Sequence, residues 1–135
     1  MTVQILEYKT PGFVPQCDLY IKNGDGIILI YPVASRETFN DIVYRREQIL
    51  RVHPCEDVPV ALVGIYGNYD EKPRVVSTEQ GKEMAERLNC SFFEVDINDS
   101  DQVEEVFNSL LPMALDCREE RKKQEKEKDR DCVVM

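Results

Sequence analysis

The sequence predicts an α/β protein with a mainly parallel sheet of about four strands flanked by helices. The strand signals are short apolar runs without polar alternation, which is typical of parallel strands covered on both faces. Between these runs lie longer segments in which apolar residues recur at helical spacing. Because strand and helix signals alternate along the chain, the pattern favours a parallel sheet joined by crossover helices.

In the first half of the chain, strands are predicted at Val3 to Leu6 and at Gly26 to Val33. A helix with Ser35 as its N-cap is predicted to run to about Val52. A third strand is predicted from Val58 to Gly64, and the Gly and Pro residues that follow it indicate an irregular loop.

In the second half, two helices have similar start signals, a Ser or Asp followed three residues later by Gln. These pairs are Ser77 with Gln80 and Asp99 with Gln102. Asn89 is expected to end the first of these helices, and a strand from Ser91 to Val95 separates it from the second. Pro112 is expected to kink or stop the last helix.

Composition indicates one domain over residues 1–115 and a charged tail over residues 116–135. The net charge of −9 argues against nucleic acid, because phosphate binding needs a positive field. Since there is no apolar run of about 20 residues and no signal peptide, we expect a cytosolic protein. The five cysteines lack Cys-x-x-Cys spacing, so neither a zinc site nor a disulfide framework is predicted.

The last four residues, Cys132-Val133-Val134-Met135, match the prenylation pattern, and a terminal Met favours farnesyl at Cys132. The alternative is an idle surface cysteine. Seven positive and six negative charges lie between Arg118 and Asp131, so the tail is a poor polybasic signal. We therefore expect partial association with the cytoplasmic face of a membrane, the plasma membrane being favoured, and a soluble cytosolic fraction.

Two further side chains are candidates for a functional role. Cys117 is either a palmitoylation site or an inert thiol, and its distance from Cys132 favours the inert thiol. His53 has no carboxylate or serine at an informative spacing, so we expect an exposed histidine at a helix end with no catalytic role.

Several segments occur in the order and spacing of a Ras-like small GTPase, and the chain from roughly Val3 to Leu111 resembles the second half of that domain. The segments are Tyr20 to Gly26, Arg46 to Val52, Asp57 to Gly64 and Val76 to Ala85. The resemblance implies GTP or GDP with Mg²⁺ as ligands, and protein effectors or regulators as partners.

The nucleotide motifs of that family are degenerate here. These 135 residues contain no G-x-x-x-x-G-K-[ST] phosphate loop. The family's D-x-x-G aligns with Glu7 to Thr10, and Gln16 is a loop side chain rather than a counterpart of the catalytic glutamine. The guanine-reading N-K-x-D falls on Ile65, Tyr66 and Asn68, and the S-A-K motif falls on Asp96, Ile97 and Asn98. No catalytic residue and no metal ligand is predicted.

The sequence leaves three hypotheses. The first is a prenylated Ras-like pseudo-GTPase that acts as a binding module without a resident cofactor. The second is a Ras-family GTPase that retains GTP binding and hydrolysis in signal transduction, and the third is a gene-fragment product. In the family the first strand lies centrally in the sheet. Without it we expect Val3 to Leu6 to pair directly with Ile27 to Tyr31, the alternative being an open edge beside Ile27.

Overall fold

A computed structural model describes residues 6–7, 21–54, 57–67, 73–122 and 131–134. The strands are β1 (Leu6–Glu7), β2 (Gly24–Pro32), β3 (Val60–Tyr66), β4 (Ser91–Asp96) and β5 (Asp131–Val134). The longer helices are α1 (Arg36–Val52), α2 (Thr78–Leu88) and α3 (Ser100–Lys122).

The five strands form one sheet in the order β1-β5-β2-β3-β4, and every neighbouring pair is parallel. The longest ladders join β2 to β3, from Ile27 opposite Val60 to Pro32 opposite Ile65, and β3 to β4, from Ala61 opposite Ser91 to Tyr66 opposite Asp96. The predicted parallel α/β class is therefore confirmed, with one strand more than expected.

Alternate residues of the central strands face two separate cores, as expected for strands covered on both sides. In β2, Leu29 and Tyr31 belong to the core beneath α1 and α2, together with Phe39, Ile42 and Met84. Ile28 belongs to the opposite core. That second core is formed with Ala61, Val63, Val95, Val106 and Leu110, the last two from α3.

The helix starts follow the predicted capping signals. The Ser35 hydroxyl accepts the Thr38 amide at 3.2 Å, and Ser77 with Gln80 forms a complete capping box. Asp99 accepts the Asp101 amide at 3.0 Å. Gln102, however, turns to β4 and accepts the Asp96 amide at 2.8 Å, so it ties the start of α3 to the sheet.

The ends of the helices agree with the sequence in one case and differ in another. Asn89 ends α2 in the left-handed region (φ 55°), which asparagine tolerates better than most residues. Pro112 lies inside α3 and does not stop it, because the helix continues to Lys122. In the described part of the chain, no helix is both long and apolar enough to cross a membrane.

The expected direct pairing of Val3 to Leu6 with Ile27 to Tyr31 is wrong at Leu6, whereas residues 3–5 lie outside the described residues. β5 lies between them: Val133 is opposite Leu6 on one side and opposite Ile27 on the other. Residues 131–134 thus fill the place between β1 and β2. Pairing with β5 satisfies backbone groups on β2 that a missing neighbour would leave open.

The expectation for His53 is also wrong, because this side chain is only 6% exposed. α1 runs back across the sheet, so its C-terminus lies over the start of β2. There His53 Nε2 donates to the Gly24 carbonyl oxygen at 2.7 Å, and the His53 amide donates to Ile49 at the end of α1. His53 therefore fastens the helix to the first residue of β2.

Candidate functional site

The candidate site lies at the carboxyl edge of the sheet, where open parallel sheets place their ligands. Tyr66 ends β3 directly opposite Asp96, which ends β4. The Ile97 amide donates to the Tyr66 carbonyl oxygen at 3.0 Å, which continues the pairing for one residue beyond the ladder. The structure thus brings together the two degenerate motifs, although Asn68 lies outside the described residues.

The two loops that follow these strands are fastened to each other by their own polar groups. The Asn98 side-chain amide donates to the Gly67 carbonyl oxygen at 2.8 Å. Asp96 Oδ1 accepts the Asn98 backbone amide at 2.9 Å. Gly67 has a φ of +84°, and a Cβ at this position would overlap Asp96 Oδ1. Only glycine is therefore compatible with this close approach.

Two apolar side chains remain accessible beside this bonded pair of loops. Tyr66 and Ile97 are each 39% exposed, whereas Ile65 is half-buried against the α3 core. Tyr66 can therefore offer an aromatic surface to a planar ligand. Ile65 offers only hydrocarbon where the family motif has a polar asparagine.

The neighbouring end of β2 is covered by residues 73–77. The Val33 carbonyl oxygen accepts the amides of Val75 and Val76, at 2.9 and 3.0 Å. The Arg36 guanidinium at the start of α1 donates to the Val75 carbonyl oxygen and, at 3.3 Å, to Gln80 Oε1. These contacts hold the segment against the carboxyl edge of the sheet.

An ion pair anchors the same segment to β4. Arg74 pairs with Glu94, and the Thr78 hydroxyl donates to Glu94 Oε1 at 2.7 Å. Nearby, burial, with a further contribution from the Glu94 charge, raises the pKa of Tyr31 to about 12. Within the described residues the Tyr31 hydroxyl has no hydrogen-bond partner. The sequence placed Tyr31 in a covered strand but gave no sign that its hydroxyl would lack a partner.

A second concave region lies at the opposite edge, where β3 and β4 begin. A cavity of about 470 Å³ is lined by residues that include Arg46, Cys90, Asp116 and Cys117. Arg46 is 5% exposed and donates from Nε to the Leu88 carbonyl oxygen at 3.0 Å. Burial raises the pKa of the Cys90 thiol, although Arg46 opposes that effect. Cys117 is only 5% exposed, which favours an inert thiol over palmitoylation.

The described residues at the motif positions differ from those with which the family holds a guanine nucleotide. The Asn98 side-chain amide is already bonded to the Gly67 carbonyl oxygen, and Asp96 Oδ1 lies directly beside Gly67. Ile65 cannot replace the hydrogen bonds of an asparagine. Within the described residues, no group of three or more His, Cys, Asp and Glu side chains converges as a metal site.

The parallel sheet, the helices on both faces and the paired loops at the carboxyl edge define an α/β domain of the small-GTPase class. The family model of the Ras family matches residues 12–116, and the chain belongs to this family. The Ras family is part of the GTPase superfamily, so GTP hydrolysis is the reaction this chain would perform if it is active. β1 and β5 both lie outside the matched residues.

Glu7, aligned with the acid of the family's D-x-x-G, lies in β1, and the rest of that segment and Gln16 are outside the described residues. Sequence reasoning identified Gly67 only as a loop residue and Gln102 only as part of a helix start signal, and it missed their contacts in the site. A glycine directly after an apolar strand was a usable signal for Gly67. Gln102 gave no such signal, because its bond to Asp96 is made across the fold instead of within its own helix.

Proposed function

We propose that this protein is a Ras-family pseudo-GTPase, a binding module that has the fold of the family but does not hydrolyse nucleotide. One observation carries the proposal: at the positions of the base-reading motifs, the Asn98 side-chain amide and the Gly67 carbonyl oxygen are bonded to each other at 2.8 Å. A base that used either of these two groups would have to compete with this hydrogen bond.

The residues at the motif positions add to this argument. Guanine presents ring N–H donors, for which the family provides a carboxylate, whereas Asn68 has one carbonyl acceptor and an amide donor. An amide donor that faces a guanine N–H donor makes binding less favourable, because neither group has an acceptor. Neither Ile65 nor Ile97 offers a polar atom from its side chain that could compensate.

Membrane attachment is the second part of the proposal. Farnesylation of Cys132 would anchor the protein reversibly, because a single lipid chain gives only marginal binding. The mixed charges between Arg118 and Asp131 would add little attraction to anionic lipid. We place the protein at the cytoplasmic face of a membrane, in exchange with a soluble pool, where it would bind protein effectors or regulators.

Calorimetry with GDP and Mg²⁺ tests the pseudo-GTPase proposal, with a Ras-family protein that has an intact phosphate loop as the positive control. We expect no binding tighter than about 1 μM, which corresponds to roughly −8 kcal/mol. The variant Asn68→Asp is the matched control, and it should not rescue binding, because one restored base contact cannot replace a phosphate cradle. Submicromolar binding by the unmodified sequence would support the alternative, a GTPase that retains its nucleotide.

Fractionation of cells that express the chain tests the anchor. Cys132→Ser should move the protein entirely to the soluble fraction, while Cys117→Ser should leave its distribution unchanged. Unaltered membrane partitioning of Cys132→Ser would refute the anchor, as would mass spectrometry that finds no lipid on Cys132.

A further inference from the structure

The four residues of β5 include Cys132, Val133 and Val134 of the proposed prenylation box, and in the structure they form a strand between β1 and β2. We infer that strand pairing and lipid attachment exclude each other, so that the sheet controls when Cys132 is prenylated. This inference rests on the proposed anchor and adds its regulation.

The pairing on both sides of β5 supports the exclusion. Val133 lies opposite Leu6 and Ile27, and Val134 lies opposite Glu7 and Ile28. A strand with neighbours on both sides has its backbone groups engaged in two ladders. A transferase must bind the last residues of its substrate, and it cannot do so while they lie within the sheet.

The chemistry requires the same release. The Cys132 sulfur must attack C1 of farnesyl diphosphate, so that an S–C bond forms, the C1–O bond breaks and diphosphate leaves, while the thiol proton passes to solvent. Removal of residues 133–135 would follow, as in other prenylated proteins. Because Val133 and Val134 are the residues that pair with both neighbours, the processed chain could not rebuild this strand.

The register indicates that release of β5 is a local event. β5 pairs with only four residues of β2, and the ladder is interrupted by a bulge between Gly24 and Gly26. The ladder between β2 and β3 is longer and unbroken. Short pairings next to irregularities open more readily than central ones. β5 can therefore leave while β2, β3 and β4 stay paired.

The test compares the intact protein with a peptide of residues 123–135 as substrates for purified farnesyltransferase with farnesyl diphosphate. We expect the protein to be modified at least about tenfold more slowly than the peptide, because only the fraction with β5 released can react. A double variant, Leu6→Pro with Glu7→Pro, removes the amides of β1 and leaves the box unchanged. It should bring the protein's rate closer to that of the peptide.

Tyr44→Ala, at a side chain that is 70% exposed on α1, is the control and should not change the rate. Equal rates for the intact protein and the peptide would refute the control by the sheet while leaving the anchor proposal intact. A peptide that is not modified at all would refute the anchor proposal, and the inference with it. Circular dichroism shows whether the double variant remains folded.

Amide hydrogen exchange gives a second, independent readout. The Ile27 amide donates to Pro59 beside β3, and backbone groups alternate sides along a strand, so the Ile28 amide faces β5 and the Leu29 amide faces β3. Farnesylated and processed protein should exchange the Ile28 amide at least about tenfold faster than unmodified protein, with Leu29 unchanged. Unchanged exchange at Ile28 would show that β5 does not cover β2 in solution, and the inference would fail.

Discussion

The two halves of the sheet differ in how they are held. β2, β3 and β4 pair along long, unbroken ladders and are covered by helices on both faces. β1 and β5 come from distant parts of the chain and pair over two and four residues. We therefore expect β2, β3 and β4 to contribute most of the stability, and the proposed release of β5 to disturb only its pairing with β1 and β2.

The largest effect that tests this comparison is expected from a substitution that leaves a cavity beside β3. Leu62 in β3 is fully buried, so Leu62→Ala should lower the free energy of unfolding by about 2 to 5 kcal/mol. Leu50→Ala, at a side chain that is 54% exposed on α1, should change it by less than about 0.5 kcal/mol. Urea unfolding measures both. Similar values for the two variants would mean that the β3 core is not close-packed.

A smaller effect is expected where a helix approaches the sheet. A Cβ at Gly81 in α2 would lie 2.5 Å from the Tyr31 hydroxyl oxygen and 2.6 Å from the Phe92 ring. Gly81→Ala should therefore cost about 1 to 3 kcal/mol through overpacking, despite the better helix propensity of alanine. Adding Tyr31→Phe should recover part of the loss. A stabilised Gly81→Ala protein, measured by thermal unfolding, would contradict this contact.

Truncation of the other half should cost less. Removing residues 133–135 deletes the part of β5 that pairs with β1 and with Ile27 and Ile28 of β2. We expect a loss of about 1 to 2 kcal/mol, because each ladder hydrogen bond contributes about 1 kcal/mol and the released backbone regains conformational entropy. The near-ultraviolet spectrum should stay native. A loss as large as that of Leu62→Ala would show that the two halves form one cooperative unit.

The smallest effect at neutral pH concerns Tyr31. Its hydroxyl has no partner within the described residues, so Tyr31→Phe should change stability by less than about 1 kcal/mol at pH 8. Because the folded pKa, about 12, exceeds the ordinary value of 10.0, the neutral phenol is favoured in the folded state. This stabilisation is complete below pH 10 and is lost as the pH rises to 12.

Unfolding curves of the two proteins at pH 8 and pH 11 check this linkage. The native protein should lose more stability than Tyr31→Phe between the two values. Parallel losses would show that Tyr31 titrates like an exposed phenol.

Sequence reasoning succeeded where neighbouring residues decide the structure. The apolar run within β2, the Ser35 cap and the Ser77 capping box all depend on local spacing, and each is present as predicted. His53 and β5 were missed because their partners are remote in sequence. His53 bonds to the start of β2, and β5 completes ladders with residues near the other end of the chain.

Predictions for the candidate site also succeeded for local features and failed for contacts between remote residues. The positions of Tyr66, Asp96, Ile97 and Asn98 at one edge follow from parallel strands that end together. The hydrogen bond from the Asn98 side chain to Gly67 could not be predicted from the sequence. It depends on the left-handed conformation of Gly67, which brings the Gly67 carbonyl oxygen within reach of the Asn98 side-chain amide.

The position of β5 also determines the order in which the sheet forms. The ladders between β2, β3 and β4 join consecutive strands, each across one helix, whereas β1 pairs with a segment at nearly the other end of the sequence. Loop closure becomes more costly with length, so non-local pairs form late. Since β1 pairs only with β5 among the described strands, its pairing must wait for the strand farthest from it in the chain. Refolding should therefore show a fast phase that forms the three-stranded core, followed by a slower phase in which the two ends of the chain meet.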